Sequence, residues 1–225
     1  MTRPPVWLGQ VIPSLLADLP DWFTRFAPPE DCRRHSAVLM LLGPSADEPG
    51  EVDIVLTERS HTLRSHAAQV SFPGGKLEPG EDAVAAALRE TWEEVGVEPE
   101  TVEVIGTWPP LYLTPSSNAV TPVLAWWSAP HAIGVVDPGE VAAVARVPVR
   151  DLADPANRFT VTAPRGYRGP GFEVCDLFVW GFTAGLLDVL LTASGQDQAW
   201  DEGVTRSLPM RHLRPFLDAR GRREE

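Results

Sequence analysis

The chain has 225 residues, 44% of them hydrophobic, which suits one domain with a sizeable buried core. It has no run of about 20 uncharged apolar residues, which argues against a helical membrane span, and its formal charge of -12 argues against a nucleic-acid partner. Two cysteines, Cys32 and Cys175, are too few for a disulfide framework or a cysteine-based zinc site.

Residues 1–34 read as a helical appendage packed on the domain. Leu15, Leu16, Leu19, Trp22 and Phe23 fall at near-helical spacing, interrupted by Pro20, so one or two short helices are expected. Trp7, Trp22 and Phe26 are expected to cover a core edge, with a homodimer contact as their alternative use. Pro5, Pro13 and Asp18 interrupt the apolar core a signal peptide needs, so a cytoplasmic location is expected.

Residues 35–195 carry the alternation of a domain. The apolar run 36–42 and the run 52–57, joined by turn residues, predict a β-hairpin, and 69–72 a short extended piece. A helix ending before Gly96 follows. Residues 101–108 alternate as a strand, 109–118 read as loop, and 119–127 as a further strand in which Pro122 suggests an edge or a bulge. Residues 141–149 read as extended, with a helical turn over 149–152. Strands at 159–162 and 172–174 flank an expected Gly-rich loop, 165–171, whose Arg165 and Arg168 are candidates for a phosphate. Residues 179–192 predict a second long helix, with Trp180, Thr183, Ala184, Leu187 and Leu191 along one side. A partly helical tail, 196–225, ends arginine-rich. Strands around a central helix, with a second helix late in the chain, predict an α/β fold with a mixed sheet between helices.

The chemistry concentrates in 72–97, FPGGKLEPGEDAVAAALRETWEEVGV. At about 100° per residue, Glu90, Glu93 and Glu94 share one helix face, and Val84, Leu88, Thr91 and Val95 another. The wheel sets Ala86 and Ala87 near the acids, leaving room for a ligand to approach. An isolated ExxEE run reads as a solvated acidic face. Here, though, Gly74 and Gly75 precede it, where a Cβ would block close approach, and Glu81 can pair with Arg89. Three crowded carboxylates repel one another, and a hard divalent cation, Mg²⁺ or Mn²⁺, would turn that repulsion into affinity. Such an ion neutralises phosphate charge and lowers the pKa of a bound water.

These residues resemble the Nudix box, G-x5-E-x7-R-E-U-x-E-E-x-G-U, where U is a bulky aliphatic. Gly75, Glu81, Arg89, Glu90, Glu93, Glu94, Gly96 and Val97 match it, and Thr91 departs mildly at the first U. The resemblance implies the Nudix α/β/α sandwich and hydrolysis of a nucleoside diphosphate linked to another moiety. It also implies Glu90 and Glu94 as metal ligands, Glu93 as a ligand or water-orienting base, the Gly74 carbonyl as a further ligand, and Glu81 and Arg89 as positioning residues. Glu140 is a candidate general base, with a surface turn as the plain reading.

The stretch before the box, 55–75, is similar to the coenzyme A pyrophosphatase signature L-L-T-x-R-[SA]-x3-R-x3-G-x3-F-P-G-G. Leu56, Thr57, Arg59, Ser60, Arg64 and the FPGG at 72–75 match; Val55 stands for Leu, and Ala68 for Gly. The resemblance implies Mg²⁺-dependent cleavage of a coenzyme A-like nucleotide to 3′,5′-ADP and 4′-phosphopantetheine, with Arg59, Arg64, Gly74 and Gly75 on the substrate. Ala68 motivates a rival substrate: ADP-ribose, a dinucleotide or an oxidised nucleoside triphosphate. A non-catalytic nucleotide sensor is a third reading, opposed by the complete box.

Overall fold

The structure, a computed structural model, describes residues 1–60, 69–114, 116–210 and 212–213. Two short helices, α1 (Val6–Ala17) and α2 (Asp21–Arg25), open the chain. The first apolar run forms strand β1 (His35–Pro44), which is buried on both faces. Ala37, Leu39 and Leu41 point into one core and Met40 and Leu42 into another, which is why the run shows no polar alternation. β2 (Val52–Arg59) closes the expected hairpin, with Leu42 opposite Ile54.

β1 is the organising strand. β3 (Val70–Ser71) pairs with β2, and β4 (Gly74–Lys76) pairs with the start of β1, Val38 opposite Gly74. Helix α3 (Ala83–Val95) follows, then β5 (Val102–Thr107), β6 (Leu111–Leu113), β7 (Asn118–Trp127) and β8 (Val141–Pro148). β7 runs parallel to β1 and the other pairings are antiparallel, so the eight-stranded sheet is mixed, in the order β3-β2-β1-β7-β5. β2 leaves β1 after its first residues and pairs with β8 as far as Arg59 opposite Val141. β2 and β4 thus use different ends of one edge of β1.

Helix α3 packs on one face of this sheet, Ala86, Ala87 and Val95 against Leu39, Leu41, Val123 and Trp127. On the other face lie α1, through Leu8, Val11 and Leu15, and α5 (Gly181–Ser194), through Ala184, Leu187 and Leu191. The result is the expected helix–sheet–helix layering. Trp7 and Trp22 pack against that second core, whereas Phe26 remains 41% exposed. Among the described residues no helix is long and apolar enough to cross a membrane.

Four expectations change. Pro122 lies inside the sheet, between β1 and β5, and not on an edge. Its carbonyl accepts from the Trp108 N–H at 2.9 Å, so its missing N–H falls on the seam where β7's neighbour changes from β5 to β6. The irregularity is a register shift in β5 between Val104 and Gly106. The stretch 109–118, expected as loop, contains β6.

From Tyr167 on, the Gly-rich stretch is strand, not loop. After helix α4 (Val149–Ala153) and β9 (Arg158–Ala163), β10 (Tyr167–Val174) turns back with Gly169 opposite Val161, and β11 (Leu177–Val179) follows. A Cβ on Gly171 would sit 2.4 Å from Val161 Cγ2, so the glycine serves close packing rather than a turn. Within the tail, β12 (Thr205–Ser207) adds to β9 and completes a second sheet, β11-β10-β9-β12.

The fourth concerns α3. Its buried residues are Ala86, Ala87, Thr91, Glu94 and Val95, while Val84 and Leu88 are only partly buried. The acidic and core faces therefore overlap, and the two alanines let the helix sit close on the sheet rather than admit a ligand.

Candidate active site

Local chemistry fixes both ends of α3. The Asp82 carboxylate caps it by accepting from the Ala85 N–H at 2.8 Å, and Gly96 ends it in the left-handed region at φ 81°. Arg89 then ties the helix to the loop before it. Its Nε and Nη2 donate to the two oxygens of Glu81 at 2.9 and 3.0 Å, and Nη2 also donates to the Lys76 carbonyl at 3.0 Å. The same guanidinium meets Glu90 at 3.1 Å and Glu93 at 3.0 Å. One bidentate arginine therefore orients three carboxylates. Arg89 holds Glu81 below the ordinary carboxylate range.

The glycine pair is set by two close approaches. A Cβ on Gly75 would lie 2.3 Å from the Glu90 carboxyl carbon, and one on Gly74, at φ 145°, 2.3 Å from the Ala37 carbonyl oxygen. The Gly74 N–H donates to Glu94 at 3.0 Å. Glu94 is 3% exposed, in the middle of the buried stripe of α3.

Glu140 comes to the same place from the far end of the sheet. Its carbonyl accepts from the Ser60 N–H at 2.8 Å, beside the last β2–β8 pair. Oxygens of Glu90, Glu94 and Glu140 all lie within 4.8 Å of one another. Burial drives Glu94 up to about 7; the Gly74 N–H and the Arg59 charge oppose this, and the charges of Glu90 and Glu140 add to it. Burial likewise raises Glu90, Arg89 opposes, and Glu93 and Glu140 contribute to the rise.

A hard divalent ion fits this donor set: three carboxylate oxygens, close together and short of positive charge. Of the ligands read from the box, Glu90 and Glu94 enter the cluster. Glu93 does not; its carboxylate is taken by Arg89 and its side chain is 48% exposed. Arg59 stands close enough to Glu94 for its charge to act there. Arg64, with Ala68, lies outside the described residues. Arg165 lies in the β9–β10 turn and Arg168 in β10 opposite Thr162, both in the second sheet region. The β2–β8 register that delivers Glu140 has no local signal 46 residues away from Glu94.

The NUDIX domain model matches residues 16–165. Nudix hydrolase 3 of Caenorhabditis elegans is 32% identical over 185 residues, 74% of this chain and 77% of that protein. An uncharacterized Nudix hydrolase, NudL, of Citrobacter koseri is 36% identical over 177 residues, 72% of this chain and 84% of that protein. Among solved structures, the Nudix hydrolase RenU from M. smegmatis superposes with a TM-score of 0.52 at 17% identity, covering 76% of this chain and 91% of that one, and shares the fold. By family model, by identity to these relatives and by fold, the chain belongs to the Nudix hydrolases, pyrophosphohydrolases acting on nucleoside diphosphate derivatives.

Proposed function

We propose that this Nudix hydrolase cleaves the diphosphate of coenzyme A or its thioesters, giving 3′,5′-ADP and the (acyl-)4′-phosphopantetheine. The carrying observation is Arg59. It belongs to the stretch similar to the coenzyme A pyrophosphatase signature, and its charge acts on Glu94 in the carboxylate cluster. The arginine that would help set substrate choice therefore lies near enough to the chemical carboxylates for its charge to act on them.

Glu90, Glu94 and Glu140 would hold Mg²⁺ or Mn²⁺, which when bound neutralises diphosphate charge and acidifies a water. Arg89 keeps Glu81, Glu90 and Glu93 in fixed relation. The Gly74 N–H holds one Glu94 oxygen, and Gly75 leaves the space the Glu90 carboxylate fills. Arg59 is suited to a diphosphate oxygen, which a planar guanidinium can bind with two hydrogen bonds. The second reading keeps this machinery and changes the leaving moiety to that of ADP-ribose, a dinucleotide or an oxidised nucleoside triphosphate; Ala68 in place of the signature glycine favours it.

Incubation of the full chain with coenzyme A and Mg²⁺, with products separated, tests the proposal. 3′,5′-ADP and 4′-phosphopantetheine are expected. Cleavage of another nucleotide without cleavage of coenzyme A or its thioesters overturns the substrate and leaves the Nudix chemistry standing.

A further inference from the structure

Glu140 differs from its two partners in the carboxylate cluster. Glu90 is oriented by Arg89, and Glu94 by the Gly74 N–H. Glu140 is exposed, and among the described residues its carboxylate enters no ion pair. Its place beside the other two rests on its backbone, and that backbone is a turn built on Asp137. Three N–H groups converge there. The Gly139 N–H donates to the Asp137 Oδ1 at 2.8 Å, and the Glu140 and Val141 N–H groups donate to the Asp137 carbonyl at 3.2 and 2.9 Å. Pro138 has no N–H to satisfy, and its ring sets the φ with which such a turn begins. Every backbone donor from 138 to 141 thus ends on Asp137. This is helix-capping chemistry used for a single turn, with Asp137 in the place of the N-cap. Gly139 gives the carboxylate room: a Cβ there would lie 3.0 Å from Oδ1.

Both ends of the turn are anchored in the site. Upstream, the Val136 N–H donates to the carbonyl of Glu94 itself at 3.0 Å, and the Gly134 N–H to that of Val95 at 3.2 Å. A helix leaves its last carbonyls without partners of its own, and here the loop supplies them. Downstream, the Glu140 carbonyl accepts from the Ser60 N–H at 2.8 Å, and Val141 stands opposite Arg59 at the end of the β2–β8 ladder. The backbone of Glu94 is therefore linked to that of Glu140 through the short span 136–140. The carboxylate of Asp137 holds the shape of that span from within.

We propose that Asp137 is a positioning residue for the metal centre: its carboxylate folds the turn that sets Glu140 against Glu90 and Glu94. The proposal rests on the reading of those three glutamates as the holders of Mg²⁺ or Mn²⁺. Asp137 acts through an acceptor oxygen and not through its charge, so an amide in its place serves the turn equally well.

Calorimetric titration of the full, metal-stripped chain with Mn²⁺, in the absence of nucleotide, tests the proposal. Asp137→Ala is expected to weaken Mn²⁺ binding about tenfold, the scale of losing a group that orients a metal ligand. Asp137→Asn keeps an oxygen for the Gly139 N–H and should restore wild-type affinity. The proposal falls if Asp137→Ala binds as the wild type does. It falls too if Asp137→Asn is as weak as Asp137→Ala, since charge and not the turn is then at work. Glu140→Gln supplies the reference. It should weaken Mn²⁺ binding at least as far, and adding Asp137→Ala to it should weaken binding no further, because the turn then has no ligand to position. Losses that multiply in the double variant place the effect of Asp137 elsewhere and overturn the proposal while Glu140 stands as a ligand. Wild-type affinity in Glu140→Gln overturns the ligand reading itself, and the positioning role with it. Urea unfolding in EDTA checks that each variant is folded before titration. Asp137→Gly, a milder loss of the same oxygen, carries the test if Asp137→Ala does not fold.

Discussion

Asp53 and Glu94 are buried to the same degree, each 3% exposed, and the fold treats them in opposite ways. Asp53, on β2, has Arg146 at 3.3 Å and accepts from the Ala46 N–H at 3.1 Å. Arg146 in turn lies over the Trp127 ring at 5.3 Å and donates to the Pro44 carbonyl. Glu94 receives the Gly74 N–H at 3.0 Å and, among the described residues, no guanidinium within bonding distance. Its near neighbours Glu90 and Glu140 share its sign. Where a buried charge is structural, the chain supplies its partner from the next strand. Where it is functional, the chain supplies more of the same charge and leaves compensation to a ligand. Arg89 pairs with one member of the cluster, Glu90, and otherwise with Glu81 and Glu93 outside it, and leaves Glu94 to the others.

The sharpest way to break this comparison is to make Glu94 neutral. Glu94→Gln keeps an oxygen for the Gly74 N–H and removes one ligand charge. Turnover should fall roughly 10³-fold or more, about 4 kcal/mol of transition-state stabilisation. Far-ultraviolet circular dichroism should stay unchanged. Retention of a tenth of wild-type kcat would mean that the cluster is not where the ion acts.

The mirror experiment removes the partner instead. Arg146→Met leaves Asp53 buried with one hydrogen bond, and breaking such a pair costs roughly 3–5 kcal/mol. Urea unfolding should show this as a shifted midpoint with little change in slope. A loss below about 1 kcal/mol, the worth of a surface pair, would show that Asp53 reaches water despite its burial.

The contrast also explains what could be read in the chain. The box was legible because its chemistry is local: Glu81, Arg89, Glu90 and Gly75 meet across one loop and two helical turns, and their spacing carries the geometry. The strands 36–42 and 52–57 were legible as short apolar runs between turn residues, and the helix over 179–192 from its helical spacing. Legibility fails where tertiary packing decides. Glu140 was named only as a base candidate, because the Ser60 N–H and the β2–β8 register bring it to Glu94. Ala86 and Ala87 were set on a ligand face because the helical wheel separates acids from apolar residues, whereas here Glu94 lies among the buried ones. Gly169 and Gly171 spelled a loop in isolation, yet they make room for a strand beside Val161 and Phe159.

The smallest expected effect tests the cost of leaving Glu94 without a partner. Its carboxyl titrates at about 7 in the folded, metal-free protein and at the ordinary 4.5 when unfolded. Below pH 4.5 both states hold the proton, and the side chain behaves as a neutral buried group. Between 4.5 and about 7 the unfolded chain ionises while the fold stays protonated, so stability falls as pH rises and levels off above the folded value. The gap between the two values corresponds to roughly 3–3.5 kcal/mol. Glu94→Gln does not titrate and also relieves Glu90 and Glu140. In EDTA the variant should therefore be the more stable protein near pH 8, by roughly 3 kcal/mol, with the advantage shrinking toward zero near pH 5. Mg²⁺ should reverse the order near pH 8, because it binds the wild-type fold and stabilises it by mass action, about 4.1 kcal/mol at a thousandfold excess over Kd. Urea midpoints of both proteins, with and without Mg²⁺ at the two pH values, decide it. A variant less stable than wild type in EDTA near pH 8 would mean that Glu94 has a cationic partner of its own, and the contrast with Asp53 would disappear.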